Sequence, residues 1–222
     1  YNDPRLSRAF ITKQGTSGKE QAPGTADNAV YAPNGTPEQG TSKYGTSLFM
    51  YSISAPTLLL SYHELKFLEA EALCRLERDA KSALKDAVVA GLLNAENSFT
   101  ISRKELGKTL INAASSITEA EAESYFDNTI EAKYTAEPLK TTMTQKYFAL
   151  WGASGEATES YNDVRRMKGL GENFIELKNP NSFPLRCPYG NSDTTTNAEV
   201  KAAYGNGQYV YSENVWWAGG SR

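Results

Sequence analysis

The sequence has little of what metal sites and disulfide frameworks require. Its cysteines are Cys74 and Cys187, and its one histidine is His63. Two cysteines so far apart fit neither a zinc-ligand spacing nor a disulfide scaffold, so we predict two free, buried thiols and no metal site. A Ser-His-Asp mechanism would have to use His63, which lies at a predicted helix start where helix capping explains the stretch better than catalysis. We therefore predict no catalytic residue and no cofactor.

Long apolar runs and an excess of one charge are also missing. No stretch approaches the length of a transmembrane helix, and the first residues carry no secretion signal or lipid-attachment cysteine. With 23 basic and 26 acidic residues the net charge is −3, and no block of like charge indicates binding to nucleic acid or to an anionic membrane. The chain starts at Tyr1 without an initiator Met, so we expect a fragment or processed product of a longer protein.

The composition changes near residue 60. The 222 residues are enough for one large or two small domains with a hydrophobic core. Residues 1–60 are rich in Gly, Thr, Ser and Pro and lack helical periodicity, which predicts loops with at most short strands. Since long loops in a compact protein are commonly functional or disordered, we predict a loop-rich segment with ligand contacts at 1–60. Residues 61–222 are predicted to form a helical region with an extended tail.

Two helices are predicted directly after residue 60. Ser61 and Glu64 have the spacing of a capping box for a first helix, and Asp79 is a favourable N-cap for a second. The short connection between them predicts an antiparallel hairpin of the tetratricopeptide type. The first helix is expected to bury the face that carries Leu65, Leu68, Ala72 and Leu76.

Caps and prolines indicate further helices. Thr118 and Glu121 form another capping box for a helix to about Lys133, and Pro138 suits the first turn of the next helix. Shorter helices are predicted around three more segments: Leu106–Ala113, Ala157–Met167 and Asn197–Tyr204. The predicted fold class is therefore mainly α, with helical hairpins and long irregular loops.

Residues 143–166, MTQKYFALWGASGEATESYNDVRR, combine aromatic side chains, a glycine break and two adjacent arginines. The spacing of the aromatic residues up to Trp151 is typical of a helix buried on two sides, so we favour core packing over ligand contact. Asp163 and Arg166 lie three residues apart and are expected to pair along their helix, while Arg165 points elsewhere. Without a partner histidine or a second carboxylate at a suitable spacing, a structural arginine network is a better interpretation than catalysis.

The same stretch resembles a signature of the SusD/RagB-like nutrient-binding outer-membrane lipoproteins, although Tyr161 stands where that family has Trp. Four further stretches agree with the family in order: DPRL at 3–6, YHELKFLEAE at 62–71, PLRCPY at 184–189 and VWW at 215–217. The resemblance spans nearly the whole chain. Because members of the family are much longer, it implies that this chain corresponds to their C-terminal portion, with the lipidated cysteine outside it.

The resemblance implies a non-catalytic binding protein at the cell surface. Such a protein would be lipid-anchored in the outer membrane, would capture an oligosaccharide, and would deliver it to a SusC-like TonB-dependent transporter. The ligand site in relatives tends to lie between the DPR stretch and the helical repeats. Aromatic faces flanked by amides and cations suit sugar rings, which makes the following residues of that interval the candidate ligand contacts: Tyr31, Tyr44, Tyr51, Asn34 and Lys43.

Three alternative functions remain open from the sequence. The chain could be a peptide-binding member of the same family, or a helical-repeat scaffold for protein partners. It could also be a glycoside hydrolase that uses two carboxylates, although most of its acidic residues fall on predicted helix surfaces such as Glu119–Glu123. The tyrosines of the loop-rich segment could equally serve to hold a long loop against the helices.

Overall fold

The computed structural model describes residues 1–14, 19–21, 46–51, 53–106, 116–176, 182–207 and 209–220. These residues are mainly α-helical, as the sequence predicts. They divide into two compact units, one formed by the described residues up to 176 and the other by those from 182 onward. Ala9 and Leu48, both from the predicted segment 1–60, belong to the core of the first unit. None of the described helices is both long and apolar enough to cross a membrane.

The first unit begins with a short helix and a small sheet. Helix α1 (Arg5–Ala9) continues directly into strand β1 (Phe10–Gln14). Strand β1 is the centre of an antiparallel sheet with β2 (Lys19–Gln21) on one side and β3 (Thr46–Ser47) on the other. A 3₁₀ turn, Leu48–Tyr51, follows β3 and places Leu48 in the core.

The described part of the first unit contains six more α-helices: α2 (Tyr62–Arg75), α3 (Lys81–Leu106), α4 (Glu119–Tyr125), α5 (Glu131–Ala136), α6 (Pro138–Ala149) and α7 (Glu159–Gly169). Helices α2 and α3 form the predicted hairpin, and both pack against α6. The hydrophobic core is built from residues such as Phe67, Leu84, Phe99 and Ile130, all without solvent exposure.

Polar contacts fix the ends of the α2–α3 hairpin. Ser61 caps α2 as predicted, since its hydroxyl accepts a hydrogen bond from the backbone N–H of Glu64 at 3.1 Å. The reciprocal half of the predicted capping box is replaced, because the backbone N–H of Ser61 donates to Glu156 instead. Asp79 accepts from the N–H of Lys81 at 3.0 Å, as expected of a helix-starting aspartate.

The sequence prediction chose the wrong face of α2. The core side of this helix carries His63, Phe67 and Ala70, whereas Leu65 is 52% exposed and Leu76 is 66% exposed. Leu68 and Ala72 are exposed as well. Helix α2 has two apolar stripes, and which of them is buried depends on the position of α3 and α6 and not on the periodicity itself.

Helix α3 is longer than predicted. It runs without interruption from Lys81 to Leu106, so the first residue of the separate helix expected around Leu106–Ala113 belongs to α3. Leu110 and Ala113 lie outside the described residues. The small and branched side chains Ala87 and Leu92 face the core and allow close packing of the hairpin.

The capping box at Thr118 and Glu121 is confirmed. The Thr118 hydroxyl accepts from the N–H of Glu121, and the Glu121 carboxylate accepts from the N–H of Thr118 at 2.9 Å. The helix that it opens contains a π-helical turn, Phe126–Ile130, between α4 and α5. A proline starts α6, as predicted for Pro138.

The described part of the second unit contains two short α-helices, α8 (Asn191–Thr196) and α9 (Ala198–Tyr204). Asn197 caps α9 through its side-chain oxygen, which accepts from the N–H groups of Glu199 and Val200 at 3.0 and 3.2 Å, so the helix predicted here is confirmed. Both thiols are free, as predicted. The prediction that both are buried is wrong, because Cys74 is half-buried and Cys187 is exposed.

Candidate functional site

Most of the predicted ligand contacts lie outside the described residues. This applies to Tyr31, Asn34, Lys43 and Tyr44, which therefore stay predictions. Tyr51 is the last residue of the 3₁₀ turn that begins at Leu48, and its side chain is likewise outside what the structure describes.

A cleft with aromatic walls opens between the start of the chain and the end of α6. It has a volume of about 570 Å³ and is lined by Tyr1, Tyr147, Phe148 and Trp151 together with polar groups of Asn2 and Asp3. We call this the aromatic cleft. Its volume falls within the range of about 300–1,000 Å³ that is usual for small-ligand sites. Two of its rings, Tyr1 and Trp151, are exposed and available to a bound molecule.

Arg5 attaches the start of the chain to α6 and so forms one wall of the aromatic cleft. Its guanidinium donates from Nη1 to the carbonyl oxygen of Phe148 at 2.6 Å and from Nε to Asp3 at 2.9 Å. The N–H of Arg5 also donates to Asp3 at 2.9 Å. Because Arg5 is buried and charge-assisted bonds in buried sites hold their geometry, this wall is fixed. The Tyr1 ring then contacts the Phe148 ring edge to face, with centroids 5.4 Å apart.

The opposite wall depends on a tight turn after α6. Gly152 has a φ of +76°, a conformation that glycine adopts at little cost. The ring of Phe49 lies against this turn and contacts Trp151 edge to face, with centroids 4.9 Å apart. The ring of Phe49 also contacts the ring of Phe99, with centroids 4.8 Å apart. Because Phe99 belongs to α3, this contact attaches the wall to the core.

The arginines of the MTQKYFALWGASGEATESYNDVRR stretch belong to an ion-pair network. Arg166 donates to Asp163 at 2.8 Å, which is the predicted pair, and to Glu71 at 2.9 Å. Glu71 also accepts from Arg75, whose guanidinium binds Glu172 on its other side. Burial by itself raises the pKa of Glu71, but the bonds from the two arginines outweigh it and hold the pKa below its usual value. The network joins α2 to α7.

Arg165 does point elsewhere, as predicted. Its guanidinium lies over the ring of Tyr161, 5.5 Å from the ring centroid. The buried ammonium of Lys146 contacts Asp163 at 2.8 Å and supplies a link from α6 that the sequence did not predict. Lysine is seldom buried without a partner, so a lysine directly before the aromatic pair Tyr147 and Phe148 was the available signal.

We predict that Arg166→Ala lowers thermal stability and leaves ligand affinity unchanged. The substitution removes the contacts of Arg166 with Asp163 and Glu71, but part of the side chain is in solvent, so the expected loss is only about 1 kcal/mol. Thermal unfolding measures the loss, and titration of the folded variant measures affinity. A selective loss of binding at full stability would instead place Arg166 in the ligand site.

Ser61, His63 and Glu156 lie close together but are not arranged as a catalytic triad. The Nε2 atom of His63 is 3.3 Å from the Ser61 hydroxyl and 3.8 Å from Glu156. Both contacts involve the same ring nitrogen, whereas a triad needs the two nitrogens of the ring on opposite partners. The Ser61 hydroxyl is also engaged in capping α2. No group of three or more His, Cys, Asp or Glu in the described ranges could hold a metal ion.

Comparisons with known proteins assign this helical fold to a class. No protein-family profile and no curated protein matches the chain. The crystal structure of a SusD/RagB family protein from Bacteroides thetaiotaomicron is 64% identical, with a TM-score of 0.86, and the match covers 100% of this chain and 48% of that protein. A SusD homologue from Bacteroides fragilis, 20% identical with a TM-score of 0.55 over 97% of this chain and 48% of its own, shows the same fold.

These structures define a SusD-like helical fold. The chain is SusD/RagB-like along its whole length, which confirms the resemblance found in the sequence. It spans about half the length of the solved relatives that it matches.

The aromatic cleft was not predicted from the sequence. Trp151 was expected to be buried, whereas it is exposed at the cleft, and Tyr147 and Phe148 are only half-buried. The start of the chain forms the other wall of the cleft, from residues about 145 positions earlier than these rings. No local pattern links Tyr1 to Phe148. The glycine directly after Trp151 was the available signal, because it marks a turn that could expose the preceding side chain.

Proposed function

We propose that this chain is part of a non-catalytic nutrient-binding protein whose ligand is an oligosaccharide. The observation that carries the proposal is the aromatic cleft on a SusD/RagB-like fold. Aromatic faces pack against the apolar faces of sugar rings, and the neighbouring carboxylate of Asp3 and amide of Asn2 can bind hydroxyl groups. Family membership of the similar Bacteroides thetaiotaomicron protein supports a nutrient-binding role.

The proposal includes a cell-surface position and a transporter partner. The full protein would be held at the outer membrane by a lipid anchor outside this chain and would pass its ligand to a SusC-like TonB-dependent transporter. Similarity to the SusD/RagB family supports both parts. The small net charge of −3 gives no reason to expect nucleic acid as a further partner.

A peptide ligand is the second candidate, and the aromatic cleft is also compatible with apolar side chains. Isothermal titration of the chain against separate panels of oligosaccharides and peptides distinguishes the two. Heat of binding with an oligosaccharide supports the proposal. Binding of peptides alone would mean that this protein is a peptide-binding member of the family. Turnover of a chromogenic glycoside would show that it is a hydrolase.

We propose that the segment of residues 15–51 completes the ligand site. Replacing Tyr31 and Tyr44 together by Ala should weaken oligosaccharide binding by about tenfold to a hundredfold, since each aromatic contact contributes roughly 1 kcal/mol. The melting temperature should fall by only a few degrees, because we expect these tyrosines to contact ligand and not the core. Trp151→Ala is the comparison variant. Unchanged affinity in the tyrosine variant with loss in Trp151→Ala would place the site in the aromatic cleft alone.

A further inference from the structure

A second cavity lies beside the aromatic cleft. It has a volume of about 320 Å³, and Gly152 and Ala157 line both this cavity and the aromatic cleft. Phe49, whose ring contacts Trp151 in the wall of the cleft, also lines the second cavity. The two cavities therefore adjoin at the turn after α6. Because α3 brings carboxamide side chains to the second cavity, we call it the amide pocket.

Three neutral polar side chains of α3 line the amide pocket: Asn94, Asn97 and Ser98. They share one face of the helix, because they are three and four positions apart. Asn94 is half-buried and Ser98 is buried. None of the three side chains makes a hydrogen bond with another residue of the described ranges. The donors and acceptors of two carboxamides and one hydroxyl group are therefore available to a bound molecule.

The rest of the amide pocket is apolar in the part of the chain that the structure describes. Ala55, Pro56 and Leu58 line it from the segment before α2, and Ala153 lines it from the turn after α6. No charged side chain of the described residues belongs to the lining. A carboxylate or an ammonium group placed here would lose its water without gaining a counter-charge. The pocket therefore selects a neutral group that is partly apolar and partly polar.

The wall before α2 is held at both ends, so the amide pocket is formed without a ligand. At the start of this wall, the N–H of Ser54 donates to the carboxylate of Glu105 at 2.9 Å. At its end, the N–H of Ser61 donates to the carboxylate of Glu156. Hydrogen bonds to carboxylates are stronger than those to neutral acceptors. The wall is thus attached to α3 on one side and to the 3₁₀ segment Ser154–Thr158 on the other.

An acetamido group has the chemistry that this pocket selects. Its N–H donates a hydrogen bond and its carbonyl oxygen accepts one, so it can pair with the carboxamides of Asn94 and Asn97. Its methyl group removes apolar surface such as that of Pro56 from water. A hydroxyl group at the same position of a sugar ring offers no apolar surface and leaves this wall in contact with water.

The size of the amide pocket points to a substituent and not to a whole ligand. Its volume of about 320 Å³ is at the lower end of the range of about 300–1,000 Å³ for small-ligand sites. The border with the aromatic cleft consists of Gly152, which has no side chain, and Ala157, which has a single methyl group. A substituent of a sugar ring in the cleft can therefore reach across this border.

We propose that the amide pocket binds the acetamido group of an N-acetylated sugar whose ring packs in the aromatic cleft. The carboxamides of Asn94 and Asn97 bind the N–H and the carbonyl oxygen of this group, and its methyl group lies against the apolar wall. This inference rests on the proposed oligosaccharide function and narrows the ligand to glycans that contain an N-acetylated hexosamine.

Isothermal titration with matched sugars tests the amide pocket in the whole chain. The pairs are tri-N-acetylchitotriose with cellotriose and N-acetyllactosamine with lactose, in which acetamido groups replace hydroxyl groups. The N-acetylated member should bind at least about tenfold more tightly, since an amide hydrogen bond and a buried methyl group each improve affinity several-fold.

A double variant, Asn94→Ala with Asn97→Ala, should lose this preference. Alanine favours a helix more than asparagine does, so the variant is expected to fold, and thermal unfolding checks this. Asn162→Ala is the matched control, because Asn162 is an exposed amide of α7 that bonds to Glu159 outside both cavities. The control should keep the preference for N-acetylated sugars.

Side-chain amide ¹⁵N–¹H signals report the contact directly. The signals of Asn94 and Asn97 are identified by their absence in single alanine variants. Millimolar N-acetylglucosamine should shift these signals in the wild-type protein, whereas millimolar glucose should leave them in place. Equal responses to the two sugars would overturn the proposal.

The outcomes separate the amide pocket from the proposed function. If oligosaccharides bind without a preference for the N-acetylated members, or if the preference persists in the folded double variant, the amide pocket is wrong and the oligosaccharide function stands. If no oligosaccharide binds, both are wrong.

Discussion

Replacing Glu96 by Ala should lower the free energy of unfolding by about 3–5 kcal/mol, because it removes a buried carboxylate that is bonded to the buried guanidinium of Arg8. Arg8 and Glu96 are both buried, and the guanidinium of Arg8 donates to the Glu96 carboxylate from Nε at 2.8 Å and from Nη2. The pair joins α1 to the middle of α3. Its loss should therefore loosen the start of the chain from the helical core.

Glu96 has further contacts that increase the expected effect. Its carboxylate accepts from the N–H of Ile117 at 3.1 Å and from the hydroxyl of Thr100 at 3.2 Å. Arg103 also lies close by, with two buried guanidinium nitrogens that have no hydrogen-bond partner among the described residues. Burial and then the charge of Arg8 lower the pKa of Arg103, and Glu96 opposes both effects. Without Glu96, the positive charges of Arg8 and Arg103 would lie close together in a site that is partly shielded from water.

Urea unfolding followed by circular dichroism measures this loss. Glu69→Ala is the matched control, since Glu69 pairs with Lys66 at an exposed site where about 0.5 kcal/mol is expected. A double variant, Arg8→Met with Glu96→Leu, should recover much of the stability by replacing the ions with apolar groups. A Glu96→Ala variant as stable as Glu69→Ala would show that water reaches Arg8 and that the pair is not buried in solution.

The features that the sequence predicted well are those set by a few neighbouring residues. The cap at Thr118, the proline that starts α6 and the Asp163–Arg166 pair each depend on side chains within one helical turn. Family resemblance extended these local predictions to the whole fold, because the order of several separate motifs was compared at once.

The features that it missed depend on partners distant in sequence. Leu65 and Phe67 are both apolar positions on α2, and only the packing of α3 and α6 decides that Phe67 is buried. In the same way, Glu64 was expected to complete a local capping box, but Glu156, 95 residues away from Ser61, takes that role. A local pattern cannot show such a competitor.

The candidate site shows the same division. Aromatic residues near the end of α6 were recognised, but their exposure depends on Arg5, which brings the start of the chain to the carbonyl of Phe148. Residues of the loop-rich segment were selected by resemblance and composition, and Tyr31 and Tyr44 remain predictions. Burial and charge pairing between distant residues were thus predicted less reliably than helix starts, because both are properties of the assembled core.

The second large effect is expected at the turn that shapes the aromatic cleft. Gly152→Ala should lower the free energy of unfolding by roughly 2–4 kcal/mol and distort the cleft wall. Two separate terms contribute to this value. The φ of +76° disfavours any residue with a Cβ atom, and a Cβ at this position would overlap the ring of Phe49. That ring cannot move freely, since it lies between Phe99 and Trp151.

Two other glycines of the chain separate these terms. Gly171 has a φ of +77°, but in the part of the chain that the structure describes no atom lies within 4 Å of the position that an alanine methyl group would take. Gly171→Ala should therefore show the backbone term alone, about 1 kcal/mol. Gly169 has neither a positive φ nor a close neighbour, and Gly169→Ala should be neutral or slightly stabilising. Chemical unfolding of the three variants gives the free energies to be compared. Titration of each variant with an oligosaccharide that binds the wild-type protein measures whether the aromatic cleft has changed. If Gly152→Ala lowers the free energy of unfolding by no more than Gly171→Ala does, the ring of Phe49 moves aside without strain. The wall of the aromatic cleft is then adaptable instead of fixed.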